Sequence, residues 1–117
     1  MSLTYTDYET AVVVHMPEKL TSINSVEIKK EIAQQIERFK DNLVIDLAGL
    51  NYSDSSGLAV LVGIYKTVAA AGGQAVLLSP QPAIRSLLEL TRLNELFEIY
   101  QDPKAAVERV SRRGIKQ

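Results

Sequence analysis

Leu3, Tyr5 and Tyr8 stand among threonines and acids at the start of the chain, an alternation that predicts a strand. Glu9-Thr10 reads as a turn. Ala11-Val12-Val13-Val14-His15-Met16 then reads as a second strand, β-branched and ended by Pro17. A polar connection through Leu20-Thr21-Ser22 leads to Asn24 and Glu27, which have the spacing of a capping box. Ile28, Ile32, Ile36 and Phe39 follow on one helical face, so a helix is predicted over about residues 24–39. Leu43 to Leu47 is a short apolar run that suits a strand covered on both faces. A loop through Ala48 to Ser53 reaches Asp54-Ser55-Ser56-Gly57, where a second helix starts. Its Leu58, Leu61, Val62, Tyr65, Val68 and Ala69 recur at helical spacing, the first five are expected to face the core, and Ala71-Gly72-Gly73 ends it.

Gln74 to Leu78 is a further buried strand, and Ser79-Pro80-Gln81-Pro82 opens a third helix whose inward face is Ile84, Leu87 and Leu88. Phe97 to Tyr100 forms a last short strand. Asp102-Pro103 begins a terminal helix carrying Ala106, Val107 and Val110. Two strands followed by helix–strand alternation predict an α/β layer structure. Its sheet is expected to be mixed but mostly parallel, with four to five strands, right-handed crossovers and about four helices. No repeat or linker divides the chain. One domain over residues 1–117 is expected, with an ordered core over about 3–110 and a basic tail over 111–117.

Composition narrows the function classes. A chain of 117 residues, 46% hydrophobic and 23% charged, is an ordinary soluble globule large enough for a core. Its 13 basic and 14 acidic side chains leave a net charge of −1, which draws neither nucleic acid nor an anionic membrane. With no cysteine, disulfides, thiolate zinc sites and cysteine nucleophiles are excluded together. His15 is the single histidine, which excludes multi-histidine metal sites within one chain. No metal, cofactor or enzymatic activity is expected. The first residues lack the pattern of a signal peptide and the apolar stretch from Gly57 to Tyr65 is too short to span a membrane, so a cytoplasmic location is the expectation.

The informative segment runs from Val44 to Leu58. A strand ends, a loop follows, and a helix begins at an Asp-Ser-Ser-Gly cluster. Asp54 has the chemistry of an N-cap, its carboxylate accepting first-turn amides. Ser55 would then sit at the surface in the first helical position, and Gly57 would leave the backbone open to close approach. Helix capping alone also accounts for the cluster. A helix start after a buried strand is, however, where α/β proteins commonly place functional groups, and a serine there is accessible to a kinase.

Leu43-Val44-Ile45-Asp46-Leu47 and Tyr52-Ser53-Asp54-Ser55-Ser56-Gly57-Leu58-Ala59-Val60-Leu61 resemble the STAS domain family, and within it the bacterial anti-sigma factor antagonists. The likeness continues through Tyr65-Lys66, Gly72-Gly73, Leu77-Leu78-Ser79-Pro80, Leu93 and Phe97. It implies a STAS-like fold and a regulatory protein-binding module. The resemblance further implies that a partner, both serine kinase and anti-sigma factor, phosphorylates the serine after the aspartate, here Ser55, and that phosphorylation switches binding off. Asp54, Ser56 and Gly57 would support that site. The family's Gly-x-Leu-Asp pattern is replaced here by Glu18-Lys19-Leu20-Thr21, and Ile64 stands where some antagonists have arginine. Thr21, with Ala59, Val60, Gly63, Ile64 and Thr67 on the second helix, is expected to form the partner surface. The alternative within the family is a non-phosphorylated scaffold subunit of a stress-signalling or lipid-transport complex.

Other groups have plainer readings. His15 ends an apolar strand and suits a structural or exposed role better than a catalytic one, so a small hydrolase pairing it with Ser55 is the outlying alternative. Asp46 suits a strand-end carboxylate contacting loop amides. Arg109, Arg112, Arg113 and Lys116 read as a basic tail.

Overall fold

A computed structural model of the chain describes residues 3–38 and 42–111. A five-stranded sheet is formed by β1 (Thr4–Asp7), β2 (Val12–His15), β4 (Asn42–Asp46), β6 (Gln74–Leu78) and β7 (Ile99–Tyr100), in the spatial order β1-β2-β4-β6-β7. β1 pairs antiparallel with β2, and every other pairing in this sheet is parallel. Two further strands, β3 (Lys19–Leu20) and β5 (Tyr52–Ser53), pair with each other. The helices are α1 (Ser25–Arg38), α2 (Ser55–Ala70), α3 (Pro82–Leu90), the single turn α4 (Leu93–Leu96) and α5 (Pro103–Ser111).

The strand order explains the layering. From β2 onward each crossover moves one strand further in the same direction, so right-handed connections place α1, α2 and α3 on one face. The burial follows this division. Val12, Val14, Leu43, Ile45, Ala75 and Leu77 pack with α1, α2 and α3, while Val13, Val44, Val76 and Leu78 point the other way, onto Ala106 and Val110 of α5. β4 is therefore covered on both faces, as its unbroken apolar run predicts.

Several local readings hold. Ile28, Ile32 and Ile36 line the buried face of α1, and Phe39 lies outside the described residues. Gly72 takes a φ of 86° to end α2, a left-handed conformation that costs glycine little. Pro82 occupies the first turn of α3. Others need correction. Asn24 does not form a capping box with Glu27: its Oδ1 accepts the Thr21 N–H at 3.0 Å and its Nδ2 donates to the Lys19 carbonyl at 2.8 Å. It fastens the loop before α1 rather than the helix itself. Arg109 is no part of a loose tail, since it is held by Glu98 (Nε to Oε1, 2.9 Å) and Gln74 (Nη1 to Oε1, 2.7 Å). Arg112, Arg113 and Lys116 lie outside the described residues.

Candidate functional site

The start of α2 is built by three segments that converge on Asp54. Asp54 is extended, with φ −105° and ψ −172°, and its Oδ1 accepts the Gly57 N–H at 3.0 Å. Its Oδ2 accepts the Ser22 N–H at 3.1 Å, so one carboxylate closes the helix and tethers the loop before α1. The Gly57 amide chiefly, helped by those of Ser22 and Ser56, holds the Asp54 carboxyl below its ordinary value.

A group whose folded pKa is depressed stabilises the fold above its unfolded pKa, and that contribution is lost as pH falls through the folded value. The melting temperature of wild type should therefore exceed that of Asp54→Ala by a few degrees above about pH 5, with the gap closing below about pH 4. Thermal melts of both proteins across this range check it, and a gap that stays constant down to pH 3 would contradict it.

Ser55 is the first residue of α2 and is exposed, while Ser56 is half-buried. Gly57 is buried, and what approaches its backbone belongs to the protein itself. A Cβ there would lie 2.1 Å from the Leu20 carbonyl oxygen and 2.3 Å from Ser53 Oγ. The glycine thus seats the helix start against the β3–β5 pair rather than opening it to a visitor. Thr21 is half-buried, and its hydroxyl accepts the Ile23 N–H at 3.2 Å within its own loop.

The expected partner surface on α2 divides. Ala59 and Thr67 are exposed. Val60 and Ile64 are not: they retain 5% and 2% of their surface and belong to the core. Gly63 is half-buried, and the end of the Lys29 side chain lies over it, Cε 2.8 Å from where a Cβ would stand. The physical reason is that α2 is packed against both the sheet and α1. Gly57, Val60, Leu61, Ile64 and Val68 form one buried stripe, turned around the helix from the face that was expected inside. Conversely Leu58, Val62 and Tyr65, expected inside, are only half-buried.

Two apolar residues absent from the sequence reading stand beside this site: Ile23 is 93% exposed and Val26 is 76% exposed. Val26 shares a groove with Ser25 and Lys29 of α1 and with Ser56, Ala59 and Val60 of α2. For Val26 the signal was available, because it lies on α1 off the Ile28, Ile32, Ile36 stripe, and an apolar side chain there asks for another contact; Ile23 stands in the turn before the helix, where no periodicity reports on it.

His15 lies elsewhere in a polar chain. Its Nδ1 is 2.7 Å from Asp46 Oδ2 and its Nε2 is 2.8 Å from Thr6 Oγ1. Asp46 Oδ1 accepts the Ala48 N–H at 3.0 Å, the loop-amide contact expected of it. Both imidazole nitrogens are thus engaged within the sheet, and the Ser55–His15 pairing of a simple hydrolase is not formed. Among the described residues there is no cluster of three or more metal-ligating side chains, and no helix is long and apolar enough to cross a membrane.

Known proteins share this architecture. The anti-sigma F factor antagonist of Paenibacillus polymyxa is 28% identical over 91 residues, 77% of this chain and 78% of that protein. A Thermotoga maritima protein of known crystal structure is 28% identical, with a TM-score of 0.84 over 92% of this chain and 93% of that one. The anti-sigma factor antagonist SpoIIAA from Bacillus, 22% identical in its unphosphorylated form, superposes with a TM-score of 0.79 over 99% of this chain and 100% of its own. Its phosphorylated form, 21% identical, gives 0.71 over 93% and 99%. The family model of the STAS domain matches residues 2–106, and the chain belongs to that family.

Proposed function

We propose that the chain is an anti-sigma factor antagonist that binds a serine-kinase anti-sigma factor around the start of α2 and is released by phosphorylation at Ser55. The observation that carries this reading is the exposed Ser55 hydroxyl in the first position of a helix capped by Asp54. The relatives support it, since several are named anti-sigma factor antagonists and SpoIIAA is known in unphosphorylated and phosphorylated forms. In this reading the chain is a binding module of the cytoplasm and any nucleotide belongs to its partner.

The charge arithmetic favours loss of binding over loss of folding. Phosphate adds about −1.5 to −2 charges. The helix N-terminus favours it by roughly 0.3–1 kcal/mol when exposed, and the adjacent Asp54 carboxylate opposes it. These opposed, solvent-screened effects leave the fold intact. Docking a partner over a phosphate dianion strips its water, and that desolvation has no comparable offset. A loss of about 1.4 kcal/mol is already tenfold in affinity.

The test is titration calorimetry with a kinase/anti-sigma protein captured from the native cell on the unphosphorylated chain and then purified. Unmodified chain and Ser55→Ala should bind alike, and the Ser55 phosphoprotein should bind at least tenfold more weakly while melting at a similar temperature. Equal affinity of the phosphorylated and unmodified chains overturns the proposal.

A further inference from the structure

The groove between α1 and α2 has the chemistry of a specific docking slot. Ile23 and Val26 present branched aliphatic side chains to solvent, and Val26 forms one wall of the groove, opposite Ser56 and Ala59. Lys29 lines the same groove, and its ammonium lies across α2 in the space that Gly63 leaves, 2.9 Å from where a Cβ would stand. Among the described residues Lys29 forms no ion pair. The Asp54 carboxylate at the start of α2 is occupied by the Gly57 and Ser22 amides, and Glu27, exposed on the first turn of α1, makes no ion pair with Lys29. The groove therefore offers an apolar wall and an unmatched cation, side by side, next to the residue that follows Ser55.

We infer that this groove receives a segment of the anti-sigma partner in which an apolar side chain stands beside a carboxylate. The apolar side chain seats between Val26 and Ala59, and the carboxylate meets Lys29. The inference rests on the reading of the chain as an antagonist, and it adds the partner's chemistry. The Lys29 ammonium stands beside Gly63, about 12 Å along α2 from Ser55, so a phosphate on Ser55 adds only a screened repulsion of that carboxylate to the cost of desolvation. That repulsion is electrostatic and partly exposed, so salt weakens it. A second copy of the chain is the competing occupant.

The experiment titrates the captured and purified kinase/anti-sigma protein into wild type, Val26→Asn and Lys29→Glu, at low and high salt, each with Ser55 free and phosphorylated. Val26 and Lys29 are exposed enough for both variants to fold, which circular dichroism verifies. Both should bind about tenfold more weakly than wild type, Val26→Asn at either salt and Lys29→Glu mainly at low salt. Wild-type affinity in both variants, with phosphorylation still abolishing binding, overturns the groove and leaves the antagonist reading in place. Binding that ignores phosphorylation yet falls in both variants supports the groove and overturns the Ser55 switch. Sedimentation showing a dimer of the chain that Val26→Asn dissociates assigns the groove to a second copy and overturns the inferred occupant.

Discussion

Gly57→Ala should lower stability by about 2–3 kcal/mol, a larger loss than any surface change at the same helix start. The added methyl would meet two groups that cannot simply swing aside. The Leu20 carbonyl, 2.1 Å away, belongs to β3, whose neighbour β5 fixes its register through Leu20 opposite Ser53. Ser53 Oγ, 2.3 Å away, is buried and donates to the Asp54 carbonyl. Relief therefore requires α2 to lift from the β3–β5 pair, which strains both bonds of the Asp54 carboxylate. At about 4 °C per kcal/mol for a domain of this size, the melting temperature should fall by roughly 10 °C. Gly63→Ala is the matched control. Only the flexible end of Lys29 stands in its way, and alanine gains up to about 1 kcal/mol over glycine inside a helix. Thermal and urea melts decide the matter, and equal melting of Gly57→Ala and wild type would show that the start of α2 is not wedged against the small sheet.

The same contrast shows what the chain's pattern reveals and what it hides. The long elements were legible because each carries a period: the Ile28, Ile32, Ile36 stripe of α1, the apolar runs of β2, β4 and β6, and the proline at the head of α3. The Asp54 cap was legible because capping is local chemistry. β3 and β5 were not, since two residues are too few to show alternation and their pairing joins positions 19–20 to 52–53. The role of Gly57 was lost with them, as the group that approaches it comes from that distant strand. α2 was misread on one side for a related reason. α2 carries apolar residues nearly all round, so spacing alone leaves several faces open, and packing on the sheet and on α1 selects the stripe of Gly57, Val60, Leu61, Ile64 and Val68. His15 and Asp46 were each read singly, and only the β2–β4 register sets them opposite each other.

The burial of that stripe can be tested apart from function. Ile64→Ala removes three carbons from a side chain that keeps 2% of its surface and belongs to the same core as Ile28, Ile32 and Leu61. Truncations of this kind cost about 2–5 kcal/mol, the transfer of the lost carbons plus the cavity they leave. We expect about 3 kcal/mol, because α1 and the sheet hold the site open from two sides, and a fall in melting temperature of roughly 12 °C. Ala59→Arg, one turn nearer the helix start on the exposed side, should leave stability within about 0.5 kcal/mol of wild type. Its bulk would nonetheless fill the groove opposite Val26, where the partner's apolar side chain seats, and weaken partner binding at least tenfold. If Ile64 instead belonged to a docking surface, the two variants would exchange phenotypes: Ile64→Ala would melt like wild type and bind poorly. Measuring melting and partner affinity for both proteins, the latter well below the lower melting temperature, separates the residues that hold α2 in place from those it presents.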